Sequence, residues 1–169
     1  MPIEEDLKKF KEKLDKSLDT LISQQTLGPI AIELKNIIQR RTRLGSGVEE
    51  SGQPKVPLAP LAPSTKKARK YKKGLGKLSE LTSPNKSNLT ESSQMLGSLR
   101  GYARKNATAG TMDIQPTGDR NRKLAAIHTL GGPNLPKRPF LNMSAQDIKQ
   151  LTAVLQDKFS EILEKVFKS

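Results

Sequence analysis

Few side chains in this sequence have the types and spacing that chemistry requires. His128 is the single histidine and there is no cysteine, so nothing has the ligand number and spacing of a metal site. Asp113 and Asp119 lie close in sequence, but no nucleophile, oxyanion-binding glycines or second histidine accompanies them. Gly45-Ser-Gly47 lacks the Gly-Lys-Ser/Thr ending of a phosphate-binding loop. We therefore predict no catalytic residues, no cofactor and no metal, and expect His128 to make a structural hydrogen bond or a contact between subunits.

Positive charge is the stronger signal. The 169-residue chain has 30 Lys and Arg against 17 Asp and Glu, a net charge of +13, which favours a polyanion or an acidic protein surface as partner. Six of these cations form what we term the basic arm: Lys66, Lys67, Arg69, Lys70, Lys72 and Lys73. From the sequence, the arm either meets an acidic partner, contacts DNA phosphate without reading its sequence, or is simply solvated.

Residues 124–141, which we term the elbow, carry two further cations on a constrained backbone. Gly131, Gly132 and Pro133 are expected to stop a short apolar segment of one or two helical turns. Pro136 and Pro139 then force an extended path, because a residue before proline avoids the helical region. Phe140 and Leu141 follow as an apolar anchor. Such rigidity suits a docking surface better than a reaction centre.

Three helices are expected from apolar periodicity. Residues 3–22 carry one apolar stripe, which would cover either the chain's own core or a neighbouring subunit. A second helix is predicted to begin at Pro29, a residue favoured at the first helical position. A third should begin after Ser144, because Asp147 three residues later makes a capping-box pattern.

The intervening sequence is less regular. Residues 45–77 predict a long extended loop, with Ser64 capping a short helix from Thr65 to about Lys73. Residues 89–99 suggest a helix with Thr90 as its N-cap. Residues 98–104 and 110–115 are expected to be two strands joined by a turn.

We therefore predict an α+β fold: a small antiparallel sheet packed by long helices, with an N-terminal helical hairpin and a long extended loop. It is expected to be one structural domain, with the hairpin in residues 1–44, the loop in 45–77 and the α+β core in 78–169. Aromatic residues make up only 4% of the chain and Trp is absent, so the core must be small. No signal peptide or membrane span is expected.

Several segments, taken in order, resemble the virion-morphogenesis or tail-completion family of tailed bacteriophages, the Mu-type neck proteins. The segments are Pro60-Leu-Ala-Pro-Ser-Thr65 with the basic residues after it, Leu89-Thr-Glu-Ser-Ser-Gln-Met-Leu-Gly-Ser-Leu99, Ala125-Ala-Ile-His-Thr-Leu-Gly131 and Pro136-Lys-Arg-Pro-Phe-Leu141. The resemblance spans roughly residues 30–165, whereas residues 3–22 look like an addition to it.

The resemblance implies a ring subunit, commonly of six-fold symmetry, that joins the DNA-filled head to the tail. The protein would then be found in the virion at the head-tail junction, and in the host cytoplasm during assembly. Its partners would be its own copies, other neck proteins such as a head-completion or adaptor protein and a tail terminator, and DNA in the channel. Expected subunit or partner contacts are Pro60, Thr65, His128, Pro136, Arg138, Pro139, Phe140 and Leu141. The alternatives are a basic DNA-binding accessory protein and an adaptor for an acidic partner.

Overall fold

The computed structural model of the chain describes residues 2–78, 82, 84–85, 87, 89, 94–106, 109–133 and 135–168, without the side chains of residues 2 and 3. Its elements in chain order are α1 Pro2–Leu21, α2 Gln24–Arg43, β1 Ser46–Gly47, β2 Val56–Pro57, α3 Pro63–Gly74, α4 Gln94–Gly97, β3 Leu99–Lys105, β4 Gly110–Pro116, α5 Asp119–Leu130 and α6 Ala145–Lys168. Helices with two small antiparallel strand pairs confirm the predicted α+β fold.

The two N-terminal helices follow one another with almost no linker. Ser23 separates them, and its hydroxyl accepts a hydrogen bond of 3.3 Å from the Thr26 backbone N–H. This capping contact starts α2 at Gln24, so the prediction that α2 begins at Pro29 is wrong. Pro29 instead lies inside the helix, where it has no backbone N–H to donate to the preceding turn.

The segment between α2 and α3 is folded back on the chain rather than fully extended. Its strands β1 and β2 pair antiparallel, and Leu58 and Leu61 are buried. A Cβ on Gly47 would stand 2.2 Å from the carbonyl oxygen of Pro139, so only glycine lets the elbow pass this closely. The prediction that Ser64 caps a helix starting at Thr65 is wrong, because α3 begins at Pro63, the residue that suits a first helical position.

The β3–β4 hairpin confirms the two predicted strands. Leu99 pairs with Pro116 at one end and Lys105 with Gly110 at the other. The middle of β3 lies directly on α2, because a Cβ on Gly101 would be 2.3 Å from the carbonyl oxygen of Ala31. Ahead of β3, helix is described only over α4, and the predicted N-cap Thr90 lies outside the described residues.

The elbow begins inside a helix that is longer than predicted. α5 begins at Asp119, five residues before Leu124, and ends as expected at Gly131, whose φ of +78° favours glycine. The predicted capping box also forms: the Ser144 N–H donates to the Asp147 carboxylate at 3.0 Å, and the Asp147 N–H to the Ser144 hydroxyl at 3.1 Å.

The main core lies between α2, the β3–β4 hairpin and the first turns of α6. Its buried members are Leu27, Ile30, Leu34, Ile38, Met95, Leu96, Leu99, Ala125, Phe140 and Leu151. α6 contributes Leu151 to this cluster, with Val154 and Leu155 packed against it, whereas no described residue of α1 belongs to it. No helix in the described part of the chain is both long enough and apolar enough to cross a bilayer.

Candidate partner-binding groove

Residues 54–63 contain four prolines, and we term them the Pro-rich segment. A groove of 610 Å³ opens where this segment, α3, α4, α5 and the elbow meet. Leucine, methionine and proline side chains make most of its wall, and three nitrogen-bearing side chains interrupt it. The lining residues are Pro60, Leu61, Ala62, Pro63, Thr65, Arg69, Ser87, Leu89, Met95, Leu124, His128, Leu135, Pro136 and Arg138. Its size and mixed lining are those of a binding pocket.

Most of the contact residues expected from the sequence converge on this groove. Five of the eight predicted subunit or partner contacts line it, and so does one member of the basic arm: Pro60, Thr65, His128, Pro136, Arg138 and Arg69. These residues come from two parts of the chain separated by more than fifty positions. The fold therefore joins the Pro-rich segment and the elbow into one surface.

Three predicted contacts lie away from the groove. Phe140 is 0% exposed and belongs to the core, so the prediction that its side chain contacts a partner is wrong. Its burial follows from position, because Arg41 donates to its carbonyl and holds the elbow against α2. Leu141 is half-buried against the same core. Pro139 is also half-buried, and its carbonyl accepts a 3.0 Å hydrogen bond from the Val48 N–H.

Arg138 holds the groove together from inside. Its Nε donates to the Ala59 carbonyl at 3.1 Å and to the Ser87 hydroxyl at 2.8 Å, and one terminal nitrogen donates to the Pro60 carbonyl at 3.1 Å. These acceptors are all neutral. Burial, followed by repulsion from Arg69, lowers the pKa of the Arg138 guanidinium, which nevertheless stays charged. Arg138 was expected to reach a neighbour, but it mainly fixes the Pro-rich segment to the elbow.

His128 faces the groove as a neutral side chain. Its backbone carbonyl accepts the Arg138 N–H at 2.6 Å. The ring Nδ1 is buried and has no hydrogen-bond partner among the described residues, so the expected structural hydrogen bond is not made by this atom. Burial, and then the charge of Arg138, lower the pKa of the imidazole. At neutral pH the ring can therefore accept a hydrogen bond from a bound partner or donate one to it.

The basic arm is a helix with two different sides. Arg69 is only 4% exposed and lines the groove, so it differs from the exposed members of the basic arm. Lys67, Lys70 and Lys73 are exposed and spaced by three, so they share one outer side of α3. Lys66 is half-buried beside Thr65, and Lys72 is exposed.

Sequence reasoning missed the ion pair that fixes the elbow to α2 and α6. Arg41, at the end of α2, pairs with Asp147 in the first turn of α6, and the two side chains are 3% and 2% exposed. Arg41 also donates to the carbonyls of Phe140 and Asn142 at 2.6 Å. Asp147 had been assigned only a capping role, and no local pattern links two residues 106 positions apart.

The surroundings of two polar groups in the groove bear on what it can bind. The Ser87 hydroxyl is held by Arg138, and the unpaired His128 nitrogen has no hydroxyl or carboxylate partner in the described part of the chain. Within the described ranges, no three His, Asp or Glu side chains gather as a metal site. Apolar walls around buried guanidinium groups suit an acidic segment with apolar side chains.

Comparisons of the chain with protein families, with curated proteins and with solved structures found no match.

Proposed function

We propose that this chain is a non-enzymatic structural subunit that assembles into a ring and completes the neck of a tailed phage, where head and tail join. The observation that carries the proposal is the uncovered apolar surface of the two long outer helices. On α1, Leu7 is 62% and Phe10 54% exposed, and on α6 Phe167 is 44% exposed. Exposed apolar side chains of this size on neighbouring helices are typical of surfaces that a partner covers.

The total surface supports the same conclusion. A compact monomer of this mass would expose roughly 8,200 Å², whereas this chain exposes 11180 Å². Burial against neighbouring copies would recover apolar area that the chain does not bury alone, and would stabilise the assembled form by mass action.

The chain also presents two different binding surfaces. The outer helices carry the exposed Leu7, Phe10 and Phe167, and the groove lies on residues outside α1 and α6. Contacts between unlike surfaces repeat head to tail, and they close into a ring when the rotation allows. The motifs that resemble tail-completion proteins support the phage assignment, because all four segments contribute residues to this one groove.

The second candidate is a basic DNA-binding accessory protein. It is favoured by the net charge of +13 and by the exposed row of Lys67, Lys70 and Lys73 on α3. Such a row would contact phosphates without reading bases. Only four Phe, two Tyr and no Trp are present in the sequence, which leaves little material for base stacking.

Oligomeric state separates the two candidates. Native mass spectrometry and light scattering, across a hundredfold range of protein concentration, should show a discrete ring, with six copies expected. DNA affinity measured beside it should be weak, whereas a dedicated binder would bind tightly and lose affinity steeply with salt. A strict monomer at every concentration would contradict the proposal.

The phage assignment has its own test. In a phage that encodes this chain, removing it should leave full heads and free tails, which negative-stain electron microscopy can count. Complete virions in normal number would contradict the role.

The change of Lys67, Lys70 and Lys73 together to Glu should impair the joining of head and tail more than folding, because all three side chains are exposed. Loss of the circular-dichroism signal in that variant would contradict this expectation.

A further inference from the structure

The beginning of α1 carries a surface whose charge and apolar content match those of the groove. Glu4, Glu5 and Asp6 form the longest acidic run in a sequence of net charge +13. They are exposed, as is Leu7, which follows Glu4 by three positions and therefore shares its side of the helix. We term residues 4–7 the acidic tip.

The acidic tip projects beyond the end of α6. The rings of Phe10 and Phe167 lie 5.6 Å apart, while Thr20 lines the same surface depression as Lys158 and Ile162. α1 therefore runs opposite to α6. Because α6 ends at Lys168, the residues before Phe10 extend past it by roughly 12 Å, at about 1.5 Å per residue. Every described side chain from residue 4 to residue 13 is exposed.

The tip does not lie in the groove of its own chain. α1 packs on α6 and α2, whereas none of the residues that line the groove belongs to those three helices. A tip that fills a groove must therefore enter the groove of another copy.

Charge and polarity of the two surfaces are complementary. The groove places the guanidinium groups of Arg69 and Arg138 close enough to repel each other, and its walls are apolar. Guanidinium groups bind carboxylates strongly, so an acidic side chain suits this lining. The exposed side chain of Leu135 at the groove rim would be covered by an apolar side chain of the incoming segment.

We propose that the acidic tip of one copy docks in the groove of the next copy, with Leu7 on the apolar wall and the Glu4 carboxylate toward Arg138. This inference rests on the proposed ring and names the contact that builds it. The tip and the groove are unlike surfaces, so each copy uses both and the contact propagates head to tail. Residues 3–22 lie outside the family resemblance, and this contact gives that addition a role.

The first experiment uses charge reversal on the full chain. The double change Glu4→Lys and Glu5→Lys should weaken assembly at least about tenfold in the concentration for half association, because like charges would then meet in the groove. The matched control is Glu49→Lys with Glu50→Lys, an equally exposed acidic pair that makes the same change in net charge. This control should assemble like the wild type.

The second experiment pairs two defective variants. Leu135→Glu places a carboxylate at the groove rim, where it would repel the tip, and Thr65→Glu is the reserve variant if the first unfolds. Neither the tip variant nor the groove variant should form rings alone. Mixed together, the two variants should associate again, because the intact tip of one fits the intact groove of the other, and native mass spectrometry should show complexes that contain both variants.

The outcomes separate this contact from the ring itself. A wild-type protein that stays monomeric would remove the proposed function and this contact with it. A wild-type ring together with a tip variant that also forms rings would overturn the contact alone and leave the ring in place. Equal loss of assembly in the Glu49 and Glu50 control would also overturn it, because net charge would then explain the effect. Mixed variants that remain monomers would do the same.

Discussion

The buried ion pair between Arg41 and Asp147 makes the sharpest prediction about stability. Asp147→Ala leaves the Arg41 guanidinium, 3% exposed, without its carboxylate and also removes the acceptor for the Ser144 N–H. Breaking one partner of a buried pair typically costs about 3–5 kcal/mol, because an uncompensated charge stays buried. That loss is a large part of the roughly 5–15 kcal/mol that stabilises a domain.

The assay is unfolding by urea and by heat, followed by far-ultraviolet circular dichroism. For a chain of this length the predicted loss corresponds to a fall in Tm of roughly 6–20 °C, at about 2–4 °C per kcal/mol. Glu161→Ala is the control, because it removes an exposed carboxylate that pairs with Lys158 at 2.8 Å, and it should leave Tm unchanged within error. A loss below about 1 kcal/mol for Asp147→Ala would refute the reasoning, because it would match an exposed pair.

Acid should reveal the same pair in the wild type. Burial alone raises the pKa of the Asp147 carboxyl, but hydrogen bonds from Ser144 and the charges of Arg41 and Lys55 outweigh it, so the pKa lies below its ordinary value. The unfolded chain therefore binds the proton first as pH falls. Stability from this group is present above about pH 4 and is lost below it. Asp147→Asn should flatten that part of the stability profile, and an unchanged slope would contradict the assignment.

Two further predictions concern backbone packing and the single histidine. Gly101→Ala should lower the free energy of unfolding by about 1–3 kcal/mol, because its Cβ would lie 2.3 Å from the Ala31 carbonyl oxygen. Gly28→Ala, which adds a Cβ in open space inside α2, should raise it by about 1 kcal/mol. Urea unfolding measures both variants, and equal effects would contradict the close packing of β3 on α2. Burial and the charge of Arg138 lower the pKa of His128, so NMR should find it below about 6.5 and stability should fall as pH drops through that range. A normal or raised pKa would contradict the burial of this ring beside Arg138.

Local sequence pattern predicted the elements with short-range causes. The apolar repeats gave the long helices, the Ser144 and Asp147 spacing predicted a capping box that forms, and Gly131 ends α5 as expected. These features depend on residues within about one helical turn, so neighbours in sequence are enough to specify them. The start of α2 was missed because Ser23 caps a helix that begins at Gln24, ahead of Pro29.

The roles of the buried charges were decided only in three dimensions. Arg41 looked like a cation at a helix end, and its pairing with Asp147 required α2 and α6 to meet. Arg138 looked like a partner contact, but carbonyls 78 and 79 positions away engage it, and Phe140 became core. Residue type and spacing show that a cation is present, whereas its partner depends on which distant segments the core brings together. For the same reason, a groove built from residues 60–65, α5 and the elbow appears only once the chain has folded.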